Sequence, residues 1–249
     1  MEYIIQNEYM LPVTVATYDV GPTGELRLSA ILRYQQEVAE QHFAAGHLGW
    51  QALAREGLAF VTSRWRCRIT RLPQLGEKLT LHTWHRDRRG PRFFRCYDWR
   101  DEAGTTVLSG VMQFALVSTE KHRLLKGEVF DRFGLQNQPE KDVDCPEPAK
   151  YPLPPLTAKG SYTVGRSDMD LSHHMNNTRY GDLLWDALPE TFALSDIREV
   201  QMHFAGECRL GDALTLAAAV EADAAYAQVN NPRGTACTAK LTLEQRNGI

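Results

Sequence analysis

No apolar run in the sequence approaches the ~20 residues that a membrane-spanning helix needs, so no segment is expected to cross a bilayer. Charge of one sign is not in excess either: 28 Lys and Arg against 31 Asp and Glu leave a formal charge of −3. That balance supplies no overall positive field to draw the chain to nucleic acid or an anionic membrane. Cysteine is scarce. The five present, Cys67, Cys96, Cys145, Cys208 and Cys237, are odd in number and stand at wide, unrelated spacings, which suits neither a disulfide framework nor a zinc site. The opening MEYIIQNEYMLPVTV carries acids where a secretion signal would need a basic stretch. These absences together predict a reduced, cytoplasmic, soluble protein. What is present is material for a large core, 43% of 249 residues being hydrophobic, in one domain or two.

An internal repeat favours two. QLGEKLTL at 74–81 recurs as RLGDALTL at 209–216, an offset of 135 residues, and the surroundings agree. Upstream of the first copy, VTSRWRCRI (61–69) alternates, with Val61, Ser63, Trp65, Cys67 and Ile69 on one face and Thr62 and three arginines on the other; this reads as a strand with one wet face. Upstream of the second, IREVQMHFAGEC (197–208) places Val200, Met202 and Phe204 at the same period and reads as the equivalent strand. A helical stretch precedes each. LSAILRYQQEVAEQHFAAG (28–46) aligns Ile31, Tyr34 and Val38, with Ser29 as N-cap and Gly46 as stop; NNTRYGDLLWDALP (176–189) aligns Tyr180, Leu184 and Leu188, capped by Asn176 or Asn177 and ended by Pro189. More strand-like sequence follows in each half, at 92–100 and 105–117, then at 222–229 and 235–244, hinged on the turn sequences DEAG and NNPRG. The fold class is therefore α+β, in tandem: an N-terminal domain over 1–139, a linker over 140–156 carrying five prolines, and a C-terminal domain over 157–249.

The second half holds the unusual chemistry. SDMDLSHHMNN (167–177) crowds two acids, two histidines and two asparagines just before a helix start. A helix N-terminus offers unpaired backbone N–H groups and a partial positive charge, suited to a carbonyl oxygen that becomes negative during reaction. The same residue types also serve as plain helix caps. A metal site built from Asp168, Asp170, His173, His174 and His203 is disfavoured, because adjacent histidines on an extended segment point apart and no HxxxH or HExxH spacing occurs.

The segment Asp170-Leu-Ser-His-His174-Met-Asn-Asn-Thr-Arg-Tyr180, followed by a helix and Gly206-Glu207-Cys208, resembles the acyl-ACP thioesterases, whose signature reads Asp-x-Asn-x-His-x-Asn-Asn-x-x-Tyr with a downstream Glu-Cys. The likeness extends through the first-half GHLG (46–49) and the strand at 61–69. It implies two tandem hot-dog domains, each an antiparallel sheet wrapped around a long central helix, with the acyl pocket in the first half and the chemistry in the second. It implies Asp170, His174 and Glu207 as catalytic residues, with Cys208 beside the glutamate, and an acyl carrier protein as partner delivering a fatty acyl thioester. Ser172 departs from the family's Asn; it has one hydroxyl and no amide.

The expected reaction is thioester hydrolysis without metal or redox cofactor. Glu207 would activate water, His174 would orient it or relay the proton, Asp170 would fix the imidazole tautomer, and N–H groups of Asn176, Asn177 and Thr178 would face the thioester oxygen. A rival makes Cys208 the nucleophile, activated by His174; on a strand Glu207 and Cys208 would point to opposite faces. Trp50, Phe60, Trp65 and Phe114 are pocket candidates, though aromatics also fill plain core. HRDRRGPRFFR (85–95), with Arg64, Arg66, Arg68 and Arg71, offers a docking surface for an acidic carrier or else a solvated hairpin. An acyl-CoA thioesterase and a non-catalytic acyl-thioester-binding regulator are the alternatives, and the sequence leaves a homodimer open.

Overall fold

The structure, a computed structural model, describes residues 3–190 and 192–244. In the first half, strand β1 (Glu8–Thr14) leads to helices α1 (Leu28–Ala45) and α2 (Trp50–Arg55), then to β2 (Leu58–Ile69), β3 (Lys78–Arg89), β4 (Arg92–Asp101), β5 (Thr106–Ser118) and the two-residue β6 (Arg123–Leu124). The second half supplies β7 (Thr157–Thr163), α3 (Arg179–Asp186), β8 (Ile197–Phe204), β9 (Ala213–Val220), β10 (Ala224–Asn231) and β11 (Gly234–Leu243). All the strands join one antiparallel sheet in the order β1-β3-β4-β5-β2-β8-β11-β10-β9-β7, with β6 added to β5. Read inward from either edge, the succession of elements is the same. The molecule is two copies of one unit, joined where β2 pairs with β8.

The register of that seam locates its axis. Arg66 lies opposite Gln201, and these positions are separated by the same 135 residues as the repeated segments. A pseudo-twofold axis therefore passes through this pair, and the join removes one unpaired edge from each copy. The core follows the sheet across the seam: Leu28, Trp65 and Leu81 belong to the same buried cluster as Leu183, Met202 and Leu241.

Helices α1 and α3 lie on this core and touch each other. A Cβ on Gly181 of α3 would come within 2.7 Å of the Ser29 backbone nitrogen, so the close crossing requires glycine. Ser29 is not the N-cap of α1, which is Arg27; its hydroxyl donates instead to Asp182 Oδ1 across the crossing, at 2.5 Å. Gly46 does end α1, where a Cβ would meet Ile4 O at 2.7 Å. The second helix is shorter than the 176–189 stretch suggests, eight residues against eighteen in α1. Its N-cap is Thr178, with no side-chain capping bond, in place of the expected Asn176 or Asn177; Asn176 lies in the turn before it, its Oδ1 accepting the Thr178 amide at 2.9 Å.

Two local features depart from simple alternation. In β2 the pairing to β5 skips Ser63, a β-bulge between Thr62 and Arg64. An extra residue flips the faces on either side of it: Trp65, Cys67 and Ile69 turn inward beyond it, whereas Val61 turns out and Phe60 and Thr62 turn in before it. The strand expected over 197–208 stops at Phe204, so Gly206, Glu207 and Cys208 belong to a loop.

Segment 140–156 has no helix or strand, yet it is fastened to both halves. Cys145 packs with Trp84, Phe94, Cys96 and Val111, Glu147 pairs with Arg86 at 2.5 Å, and the Tyr151 and His203 rings lie 4.5 Å apart.

Candidate active site

The crowded loop hangs from Asp168. This carboxylate is buried and accepts hydrogen bonds from Tyr162 Oη (2.7 Å), the Gly165 amide (2.8 Å) and Arg179 Nε (2.8 Å). Burial alone would raise its pKa; these bonds outweigh that and hold the carboxyl below its usual range. Asp168 is thus committed to anchoring the loop, and among the described residues no three His, Cys, Asp or Glu side chains converge to hold a metal.

Beyond the anchor, Met169 and Met175 form an antiparallel bridge that closes the loop. The first half builds the same loop, with buried Asp19 followed by the Val20–Leu26 bridge. Matched through these two bridges, Asp170 corresponds to Gly21 and His174 to Glu25. One copy of the scaffold carries the chemistry-bearing residues and the other does not.

Within the loop, Asp170 Oδ1 accepts the amides of Ser172 (2.8 Å) and His174 (3.4 Å). The Asp170 amide in turn donates to His174 O at 2.9 Å. The expected bond from this carboxylate to the His174 ring is not among the described contacts; Asp170 shapes the backbone that carries His174. His173 takes φ 61°, the left-handed conformation that lets the chain turn back at this point. The imidazole of His174 faces the other loop, its Nε2 3.1 Å from Glu207 Oε2, with side chains 33% and 55% exposed.

Glu207 is fixed through its main chain. Its carbonyl accepts from Asn231 Nδ2 at 2.8 Å and from Arg233 Nη2 at 2.9 Å, and the Met175 amide donates to Cys208 O at 2.8 Å, tying the two loops together. NNPRG reads in the sequence as a turn, and the asparagine and arginine that flank its proline also hold the Glu207 carbonyl. Cys208 is buried, 1% exposed against 55% for the Glu207 side chain, with Sγ 3.1 Å from Tyr180 Oη. Its described partners, Tyr180 and Asn231, do not include His174, which disfavours the nucleophile role.

A cavity of about 600 Å³ opens beside this loop, lined there by Asp170, Ser172, Asn176, Asn177 and Thr178. It runs along one face of α1, past Leu32, Gln36, Ala39 and Phe43, and its outer wall includes Trp50, Phe60 and Phe114. That size lies within the ordinary range of small-ligand sites. Trp65 is not part of it: the ring is fully buried, with Nε1 donating to Gln35 Oε1 at 2.7 Å. The bulge at Ser63 explains the exchange, sending Phe60 and Thr62 to the cavity while Trp65 joins the core. His174 and Glu207 are not among its lining residues. Of the three amides proposed to face a thioester oxygen, those of Asn176 and Thr178 are taken by Asp168 O and Asn176 Oδ1. Only that of Asn177 has no acceptor among the described residues.

The arginines expected to form a docking surface are largely neutralised within the chain. Arg66 pairs with Glu199 (2.8 Å), Arg68 with Asp144 (2.5 Å), Arg71 with Glu77 (2.6 Å) and Asp101 (3.0 Å), Arg86 and Arg89 with Glu147, and Arg88 with Asp131. Arg95 is buried.

Family comparisons cover both halves. The model for the acyl-ACP thioesterase N-terminal domain matches residues 6–131, and that for the acyl-ACP thioesterase C-terminal domain matches residues 157–246. A chloroplastic dodecanoyl-[acyl-carrier-protein] hydrolase of Cinnamomum camphora is 25% identical over 252 residues, covering 92% of this chain and 62% of its own length. A chloroplastic oleoyl-acyl carrier protein thioesterase of Arabidopsis thaliana is 24% identical over 220 residues, covering 80% and 59%. The chain thus spans about three fifths of the length of the curated relatives it matches. Among solved structures, an acyl-ACP thioesterase from Bacteroides thetaiotaomicron superposes with a TM-score of 0.85 at 18% identity, covering 96% of this chain and 98% of that one. The 12:0-ACP thioesterase of Umbellularia californica gives 0.82 at 19%, covering 98% and 99%. The shared fold is the hot-dog fold, an antiparallel sheet packed around helix.

Proposed function

The chain belongs to the acyl-ACP thioesterase family, and from that membership we propose that it hydrolyses a fatty acyl thioester of acyl carrier protein to free fatty acid and carrier-protein thiol. The observation that carries the reading is the His174–Glu207 contact of 3.1 Å, carried by two mutually tied loops, one of which lines the cavity. In the proposed reaction the Glu207 carboxylate takes a proton from water while the water oxygen bonds to the thioester carbon. The carbonyl oxygen becomes negative facing the Asn177 amide, the free donor at the cavity edge. The C–S bond then breaks, and the proton held by Glu207 passes, directly or through His174, to the departing sulfur. His174 orients the carboxylate and the water; Asp170 positions His174 through the loop backbone, and Ser172 lines the route of the thioester. Each of these groups acts as a side chain or amide of the chain itself.

We place the reaction in a reducing, cytoplasmic setting, a reading supported by five cysteines that are all free and buried. Among the described residues no helix is long and apolar enough to cross a membrane. The carrier protein is the proposed partner in preference to coenzyme A on the strength of the family.

The test is thiol release from one acyl chain presented on carrier protein and on coenzyme A. Glu207→Gln is expected to lower kcat by roughly 10²–10⁴-fold, while Cys208→Ser stays within a few-fold of wild type. Collapse of the Cys208→Ser variant with survival of Glu207→Gln would replace water attack by an acyl-enzyme. Faster turnover of the coenzyme A thioester would reassign the substrate, and tight binding without thiol release would make the protein a regulator.

A further inference from the structure

The cavity wall is not uniformly apolar. Along α1 its lining runs from Leu32 to Phe43, eleven residues apart, about 16 Å at 1.5 Å rise per residue. The catalytic loop lies toward the start of that track, because Gly181 packs on Ser29 at the beginning of α1. At the far end, where the Arg95 guanidinium sits 5.0 Å from the centre of the Phe43 ring, the lining includes Arg95 and His85, each 1% exposed.

These two side chains form a buried network with His42 and Thr83. Arg95 Nη1 donates to His42 Nδ1 at 2.9 Å and to Thr83 Oγ1 at 3.2 Å, and Nη2 donates to His85 Nε2 at 2.7 Å. His42 Nε2 lies 2.8 Å from Gln6 O, so its proton belongs there and Nδ1 is free to accept. Burial and the neighbouring guanidinium keep both imidazoles neutral, His42 with a pKa lowered to about 4 and His85 well below its ordinary value. His85 accepts through Nε2, so its proton sits on Nδ1. That Nδ1 is buried and has no hydrogen-bond partner among the described residues. Nor is any carboxylate among the described partners of Arg95. The carboxylates that line the same cavity are otherwise engaged, Glu37 by Gln41 Nε2 and Glu40 by the Trp50 amide, both at 2.7 Å, and Asp170 by the Ser172 and His174 amides at the other end.

A buried cation without an anion, beside a buried N–H without an acceptor, is costly unless something supplies an oxygen. A hydrocarbon tail supplies none. We propose that the far end of the cavity is a subsite for a hydrogen-bond-accepting oxygen on the distal part of the acyl chain, so that the preferred substrates are tail-oxygenated acyl thioesters, hydroxylated or carboxylated, over plain chains of equal length. The inference rests on the thioesterase reading for the word substrate; the subsite itself rests on the network.

Binding of free acids to the wild-type protein, measured by titration calorimetry, separates the two. Dodecanoic acid, 12-hydroxydodecanoic acid and dodecanedioic acid are the probes. The two oxygenated acids are expected to bind roughly ten- to a hundredfold more tightly than the plain one, the range for hydrogen bonds to a charged or otherwise unpaired buried group, with the advantage shrinking in His85→Phe. Equal affinity of all three for the wild type overturns the subsite, because a retained water then satisfies the network, and leaves thioester hydrolysis standing. A preserved preference in binding, with no thiol released from carrier-protein thioesters of any of the three chains, supports the subsite and removes the thioesterase reading instead.

Discussion

Asp170 is the residue whose role differs most between its position in the motif and its contacts. Its Oδ1 gathers two backbone amides, as a capping side chain does, so the geometry assigns it to loop conformation. Replacing it with Ala removes both bonds and is expected to cost about 1 kcal/mol of stability, whereas Asn keeps an acceptor oxygen at the same place and should cost less. Thermal denaturation of the two variants tests this; equal losses would mean that charge, and not the acceptor, is what the loop needs.

The buried imidazoles carry a second residue-scale consequence. In the unfolded chain a histidine takes up its proton near pH 6.5, while folded His42 resists protonation until about 4. Between those values the unfolded state binds more protons, so the stability contributed by neutral His42 is complete above pH 6.5 and is lost as pH falls through 6.5 toward 4. The shift corresponds to about 3 kcal/mol, with His85 acting in the same direction. Chemical denaturation at pH 7.5 and pH 4.5 should show a marked drop; a flat profile would mean that these rings are protonated in the folded protein.

At the scale of elements, the contact between α1 and α3 depends on one missing side chain. Gly181→Ala would press a methyl group to within 2.7 Å of the Ser29 nitrogen and 2.8 Å of its Cα, and both obstacles are backbone. The helices must separate, at an expected cost of about 1–3 kcal/mol, read as a lower denaturation midpoint with an unchanged denaturant slope. Much of this level was legible beforehand: α1, β2 and the repeated β3 and β9 segments follow from period and turn chemistry. The bulge at Ser63 was not, because nothing in VTSRWRCRI distinguishes an extra residue from a regular one, and that single residue decides that Phe60 and not Trp65 meets the cavity. In the candidate site, Asp170, His174 and Glu207 are legible as candidates from the motif, and the structure joins His174 to Glu207 through side chains and Asp170 to His174 through backbone. Asn231 and Arg233 were missed because they act on a carbonyl, and carbonyls leave no trace in residue identity.

At the scale of the whole molecule, the two copies share a core as well as a strand pair. The buried cluster crosses the β2–β8 seam without a break, and segment 140–156 is bonded on both sides of it. Separate unfolding of one copy would expose half of that cluster and an unpaired β2 or β8 edge. Denaturation is therefore expected to show one transition, coincident by far-UV circular dichroism and by tryptophan fluorescence, which reports chiefly on the first copy because four of the five tryptophans lie there. Two separated midpoints would show that the copies are independent domains.

The unequal furnishing of the matched loops gives the cavity a direction. With Gly21 and Glu25 standing where Asp170 and His174 stand in the other copy, a long ligand lying along α1 would meet different side chains at its two ends, and the proposed reaction would fix which end is the head. Polarity of this kind is unavailable to an assembly of two identical units, in which each wall must serve both as head and as tail.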